Sequence, residues 1–314
     1  MALFDHLAIA LDFSDASRVA LRACYRLAHL TSVKKITVLH SLRKVVLPAQ
    51  GQEVVVKRLS ALRDRIHEAA RKELHSFCEE CGAPEGLVME QVLVEGAPET
   101  SIPAKAAELG ATVLLIGTHS RTGLSRLVFG SVAERLIEGP KIPVLVLPTG
   151  EDGIPADVEL EALDRIVIAV DGDPQSAHRV AETGLEAARG FFTKKPPVTF
   201  VSVAERPDFA DALWDAGAVG DYRGLVKDSV QENLSSLIDE FRESIALDMR
   251  VEVGHPADEI LRVAKEVEAE LIVVGSHGEG RAPFASLGSV TAEIVRRSPV
   301  SVLVVPTHPA QISP

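Results

Sequence analysis

Only three cysteines, Cys24, Cys78 and Cys81, occur in 314 residues. They are too few and too unevenly placed to frame a disulfide-stapled fold, and they agree with a reducing compartment. Nothing approaches the ~18 consecutive apolar residues of a membrane-crossing helix, and the acidic Asp5 near the start is unlike a signal peptide. A soluble, cytoplasmic protein is the expectation. Positive charge is scarce as well. Residues 1–150 hold 18 Lys and Arg against 16 Asp and Glu, while residues 151–314 hold 15 against 29, so the net charges are +2 and -14. Neither half offers the field that a nucleic-acid backbone or an anionic membrane requires. A small phosphate ligand, held by local donors, stays compatible with this balance. Three phosphate and hydrolase signatures are also missing. There is no Gly-x-x-x-x-Gly-Lys-Ser/Thr loop, no Gly-x-Gly-x-x-Gly after a first strand, and no Gly-x-Ser-x-Gly elbow.

What the chain does contain is one pattern written twice at an offset of 158 residues. Gly117-Thr118-His119-Ser120, followed by Gly130-Ser131-Val132, maps without a gap onto Gly275-Ser276-His277-Gly278, followed by Gly288-Ser289-Val290. The same offset carries Gly96-Ala97-Pro98 onto Gly254-His255-Pro256, and 144–148 onto 302–306. A repeat this long is a globular domain rather than a solenoid unit. The expected organisation is a first domain over 1–148, a linker over 149–164 rich in Gly, Pro and acid, a second domain over 165–308, and a tail over 309–314.

Within each half, strand-like and helix-like segments alternate, the pattern of a parallel sheet covered on both faces. Strands are expected near 7–11, 36–40, 88–94, 112–116 and 144–147, and again near 166–170, 198–203, 250–253, 271–274 and 300–305. Helices fill the gaps near 15–30, 57–81, 98–109 and 131–137, and near 175–189, 223–246, 257–267 and 289–296. The fold class is therefore α/β, with two tandem, doubly wound, five-stranded parallel-sheet domains of Rossmann-like type. The segments 42–56 and 204–222 read as unusually long connections. The last strands, apolar and at sheet edges, should pair with each other within the chain or between chains.

Ligand sites in such sheets lie beyond the carboxyl ends of the strands. Both glycine motifs fall there. A glycine ending a buried strand lets backbone N–H groups approach a ligand, and a Gly-Ser pair opening a helix presents free N–H groups and a positive dipole end to an anion. The spacing suits a di- or triphosphate. Asp12 and Asp171 end the first strand of each half, where a carboxylate can accept from a ribose or base or hold Mg²⁺ through water. Each device alone is also a common turn or cap.

Gly-x-x-Gly, nine residues, Gly-Ser-Val, after a first strand ended by Asp, resembles the universal stress protein family. Arg121-Thr122-Gly123-Leu124-Ser125-Arg126-Leu127 and Gly130-Ser131-Val132-Ala133-Glu134-Arg135 carry the resemblance furthest, and the whole chain looks like the tandem two-domain form. The resemblance implies cytoplasmic residence, dimers made through the last strand and, in some members, ATP or AMP binding. It implies that Ala169, Asp171, Val203 and Val274 surround the adenosine end, and that Gly275, Gly278, Gly288, Ser289 and Val290 surround the phosphates. In the first half the matching positions are Ala10, Asp12, Ser41, Ile116, Gly117, Ser120, Arg121, Gly130, Ser131 and Val132. Ser120 departs from the pattern by replacing the second glycine. The second loop keeps its glycines but carries Glu279 and lacks counterparts to Arg121 and Arg126. A Cβ in the path of the backbone cannot be screened by salt whereas surface charge can, so the second half is the favoured site.

The remaining candidates have plainer readings. His75, Cys78 and Cys81 stand at i, i+3 and i+6 on a helix end and suggest a metal or redox role without a fourth ligand. His119 and His277 recur beside the motifs without an assured acid or nucleophile. The expectation is a cytoplasmic stress-response protein that binds an adenine nucleotide (ATP, ADP or AMP, with Mg²⁺ for a triphosphate). It would act as sensor or regulator toward an unknown protein partner, with little turnover and no catalytic residue assigned. The alternatives are a nucleotide-free interaction module formed as an intrachain pseudo-dimer, and a slow ATPase or autophosphorylating protein. A homodimer is compatible with each.

Overall fold

The computed structural model describes residues 3–307 apart from 32, 45–52, 85, 120–130, 139–140, 150–164, 192–196, 205–215, 242, 244 and 278–286. The first half runs β1 (His6–Leu11), α1 (Asp15–Leu30), β2 (Lys35–Leu42), α2 (Glu53–Glu80), β3 (Val88–Glu95), α3 (Pro98–Glu108), β4 (Val113–His119), α4 (Ser131–Glu138) and β5 (Val144–Thr149). The second half repeats the order as β6 (Ile166–Ala169), α5 (Pro174–Phe191), β7 (Pro197–Ala204), α6 (Ala216–Phe241), β8 (Ala246–Val253), α7 (Pro256–Glu266), β9 (Leu271–Gly275), α8 (Ser289–Arg297) and β10 (Ser301–Val305).

Several of the expected boundaries are revised. The helix expected over 223–246 ends at Phe241, and β8 begins at Ala246. Ile245 is buried, and Leu247 and Met249 pack on the same core, so a two-residue alternation overrides helical propensity there. The two long connections are shorter than expected, because α2 already begins at Glu53 and α6 at Ala216.

All ten strands form one sheet in the order β3-β2-β1-β4-β5-β10-β9-β6-β7-β8. Within each half every pairing is parallel, and the halves meet at a single antiparallel pair, β5 with β10, in the register Val302 with Val146, Leu303 with Leu145 and Val304 with Val144. The last strands thus pair within one chain. Alternation along each strand then divides the apolar side chains by sheet face rather than by half. Leu7, Ile9, Ile36, Ile166, Ile168 and Phe200 join one cluster with α1, α2, α5 and α6; Ala8, Leu39, Val167 and Val201 join the other with α3, α4, α7 and α8. Each cluster runs unbroken across the seam. Phe4 strengthens it, since a Cβ added at Gly190 would lie 2.8 Å from the Phe4 ring. No helix among the described residues is long and apolar enough to cross a membrane.

The order within each half places β1 between β2 and β4, and β6 between β7 and β9. Strand order reverses at β1/β4 and at β6/β9. Such a reversal leaves a crevice at the carboxyl ends of its two strands, so each half has one, and the antiparallel seam sets the two at opposite ends of the strands.

One buried group at the start of β1 makes the fold sensitive to acid. His6 is 7% exposed, and its Nε2 lies 2.8 Å from the Thr37 hydroxyl. Burial, with a smaller push from Lys35, lowers its pKa below the ordinary histidine value. The unfolded chain therefore takes up a proton, below a pH of about 6.5, that the folded chain refuses, and stability falls with pH at up to about 1.4 kcal/mol per pH unit until the folded pKa is reached. Urea midpoints at pH 7.5 and 5.5 should show a larger acid loss in the wild type than in His6→Gln. Equal losses would mean that His6 titrates alike in both states.

Candidate functional site

The two crevices are built from the same strand ends. In the first, Ala10 pairs directly with Ile116, so Asp12 and Gly117 follow on adjacent strands. Asp12 is exposed, yet its Oδ1 accepts from the Ser17 hydroxyl at 2.6 Å and from the Ser14 N–H at 3.0 Å. The carboxylate thereby organises the turn into α1, whose N-terminus Ser14 caps. Phe13 holds the turn in a left-handed conformation (φ 62), and its ring sits 4.3 Å from that of His40. Ser41, on β2, donates through its hydroxyl to the Gly96 carbonyl at 2.8 Å. Val132, in the first turn of α4, is exposed. Ser120, Arg121 and Gly130 lie outside the described residues.

In the second crevice, Ile168 pairs with Val273, which sets Ala169 beside Val274 and brings Asp171 and Gly275 to the same rim. Ala169 also pairs with Val201, so Val203 stands at the matching height on β7. Asp171 Oδ1 accepts from the Asp173 N–H at 3.2 Å, and Asp173 Oδ1 accepts from the Ser176 N–H at 2.7 Å. The turn is again set by carboxylates. Gly278 lies outside the described residues. Gly288 does not: its N–H donates to the Ser276 carbonyl at 2.9 Å, and its carbonyl accepts the first helical bond of α8, from Ala292 N–H at 2.8 Å. Gly288, the N-cap residue of α8, has no side chain with which to cap it. Ser289 is exposed and Val290 half-buried at this helix start.

Beneath it lies a polar cluster that motif reading missed. The Thr307 hydroxyl accepts from the His277 N–H at 3.2 Å and donates to the His277 carbonyl at 3.1 Å. The Ser276 hydroxyl accepts from the Thr307 N–H at 3.2 Å and lies 3.1 Å from His277 Nδ1. Thr291 donates to the Gly275 carbonyl at 2.6 Å. Ser276, His277, Thr291 and Thr307 are all buried. They fasten β9, β10 and α8 into one frame. A signal for this cluster exists, since the Pro-Thr pair after the last strand recurs as Pro148-Thr149 and Pro306-Thr307. His277 is accordingly a frame residue, and the plainer reading of the recurring histidines fits it.

The frame also explains a motif glycine without any ligand. A Cβ at Gly275 would sit 2.6 Å from Thr307 Cγ2, and one at Gly117 would sit 2.8 Å from the Ala16 carbonyl oxygen. Both strand ends need glycine for packing. At Gly288 the nearest contact would be the Ser276 carbonyl oxygen at 3.1 Å, a tight but lesser conflict.

His75, Cys78 and Cys81 do not share a face. His75 is exposed, whereas both cysteines are buried on the core side of α2. Burial pushes the Cys78 thiol up to about 11 and raises Cys24 and Cys81 as well, so the thiols stay protonated and unreactive. Elsewhere, His255, Asp258 and Glu293 bring donor atoms within 4.8 Å of one another. Arg297 already lies 2.7 Å from Asp258 and 2.5 Å from Glu293 and pairs with both carboxylates.

Comparison with known proteins agrees with the duplicated geometry. The model of the Universal stress protein family matches residues 3–148 and again 162–306. A universal stress protein of Mycolicibacterium smegmatis is 25% identical over 298 residues, spanning 95% of each chain. One from Methanocaldococcus jannaschii is 32% identical over 147 residues, which is 46% of this chain and 82% of that one. Among solved structures, a universal stress protein of Archaeoglobus fulgidus superposes with a TM-score of 0.62 over 96% of both chains at 21% identity.

The packing account of Gly275 makes a prediction for ligand-free protein. Gly275→Ala should cost about 1–3 kcal/mol in a urea titration, the usual penalty of overpacking a filled site. The loss should shrink in a Thr307→Ser background, which removes the offending methyl and keeps the hydroxyl. An undiminished loss would place the conflict elsewhere.

Proposed function

The chain belongs to the universal stress protein family in its tandem two-domain form, and from that premise we propose that its second half binds an adenine nucleotide. The nucleotide makes the protein a cytoplasmic sensor or regulator that signals to a protein partner. The supporting observation is the start of α8. Gly288 ties this helix end to the end of β9 at the point where strand order reverses, and as the N-cap residue it brings no side chain over the helix start. The first N–H groups of any α-helix lack intrahelical acceptors, and with the dipole they favour an anion. Phosphates would meet Gly288, Ser289 and Val290, with Gly275 and Gly278 along the strand end. The adenosine would lie over Ala169, Asp171, Val203 and Val274. A triphosphate would bring Mg²⁺, which supplies charge neutralisation among the phosphate oxygens. The first half offers a weaker copy of this site, because Ser120 stands where the second copy has Gly278.

A second reading is favoured by one observation. Gly117 and Gly275 are required by packing alone, so the repeat of the motif is compatible with a nucleotide-free interaction module.

Ser289→Glu separates the readings. Glutamate at the first helical position suits the dipole, so the fold keeps its thermal midpoint, while the added charge repels a phosphate. Titration calorimetry with ATP, ADP and AMP in Mg²⁺ should show binding to the wild type, weakened at least tenfold (~1.4 kcal/mol) by Ser289→Glu and little changed by Ser131→Glu. Undiminished binding to Ser289→Glu would remove the second-half site. A wild type that binds none of the three would leave the interaction module.

A further inference from the structure

We propose that the outer edge of β3, under the flank of α2, is a docking groove for an extended peptide with acidic residues at alternate positions. β3 ends the strand order, so one side of its hydrogen-bonding ladder is open to another strand. Its central residues, Met89 to Leu93, are only half-buried, whereas Ile36 to Leu39 on the neighbouring β2 are buried. Among the described residues, this edge lacks the neighbouring strand that every inner strand has on both sides.

The groove has a definite lining. A cavity of about 500 Å³ opens between α2 and β3, with Leu74 and Leu93 as apolar surface and His67, Arg71, His75 and Gln91 as polar surface. The four-residue spacing of 67, 71 and 75 sets three basic side chains on one face of α2. His67 already holds a carboxylate, that of Glu95, at 2.7 Å. Arg71 and His75 are exposed and have no ionic or hydrogen-bonding partner among the described residues. A strand added to β3 would turn every second side chain toward α2, which is the spacing at which carboxylates can meet Arg71 and His75 in succession.

The duplicated half separates what the fold produces from what this site adds. Between α6 and β8, at the other end of the sheet, lies a cavity of about 440 Å³. Its charged side chains are Lys227 and Asp248, one of each sign, beside Phe200, Ile238 and Met249. The cavity is thus a property of a long helix packed beside an edge strand. A lining in which every ionisable side chain is basic belongs to the first half alone. An anionic lipid surface is a poorer match, because the basic groups line a recess and the other half of the same sheet carries a charge of -14.

The test is selection of a random twelve-residue peptide library on the immobilised full chain, followed by fluorescence anisotropy on the enriched peptides. Enriched peptides should carry Asp or Glu at alternate positions. They should bind at least tenfold more weakly to the Arg71→Glu/His75→Glu double variant, whose two sites are exposed, and equally to Lys227→Glu in the counterpart cavity. Unchanged thermal midpoints will show that both variants fold. The proposal is overturned if no peptide is enriched, if the enriched set lacks acidic residues, or if the double variant binds as well as the wild type. It is equally overturned if phosphatidylserine vesicles bind through Arg71 and His75 and peptides do not.

Discussion

The structure depends on the antiparallel pairing of β5 with β10. Each half ends in a strand made almost entirely of Val and Leu, and left open either edge would be a template for aggregation. Pairing them buries Val144 to Leu147 and Val302 to Val305 to 3% exposure or less. Full burial of one such side chain contributes about 1.5–3 kcal/mol, so eight of them outweigh any exposed ion pair at the seam, such as Arg296 with Glu134. Both apolar layers then run across the junction, and what the sequence duplicates as two domains the fold unites through two shared cores.

That union has a consequence for the motifs. Strand-end glycines are commonly taken as marks of ligand approach, yet Gly275 is demanded by Thr307 and Gly117 by Ala16. Their recurrence follows from repeated packing. The proposed function therefore rests on the start of α8, where the helix is fixed by backbone bonds and its N-cap residue is a glycine. Ser276, His277, Thr291 and Thr307 hold that start in place from below, so the proposed anion site would be preorganised.

Duplication also provides an internal control. Positions alike in both halves report what the fold needs, and positions that differ report what each half has acquired. The aspartate after the first strand and the threonine after the last belong to the first class. The basic flank of α2 and the acidic excess of the second half belong to the second class. Charge has diverged more than packing because surface substitutions cost little, whereas a methyl group in a filled core is felt.

Much of this was legible in the residues. Apolar alternation and helical periodicity located every element and with them the fold class, the repeat announced two domains, and the motifs carried the resemblance to the family. The C-terminal end of α6 was misplaced because Ile245, Leu247 and Met249 satisfy either period over so short a run. The frame beneath α8 went unseen because its one signal, the recurring Pro-Thr pair, does not say which distant serine, histidine or threonine it meets. Sequence by itself determined the elements, their duplication and the strand ends at which a site can form, since these follow from periods of two and 3.6 residues and from the backbone needs of glycine. Tertiary structure alone decided that the last strands pair within one chain, that the cores divide by sheet face, and which atoms stand against each glycine. These outcomes rest on contacts between distant residues, Gly117 with Ala16 and Val146 with Val302 among them, which no local pattern encodes.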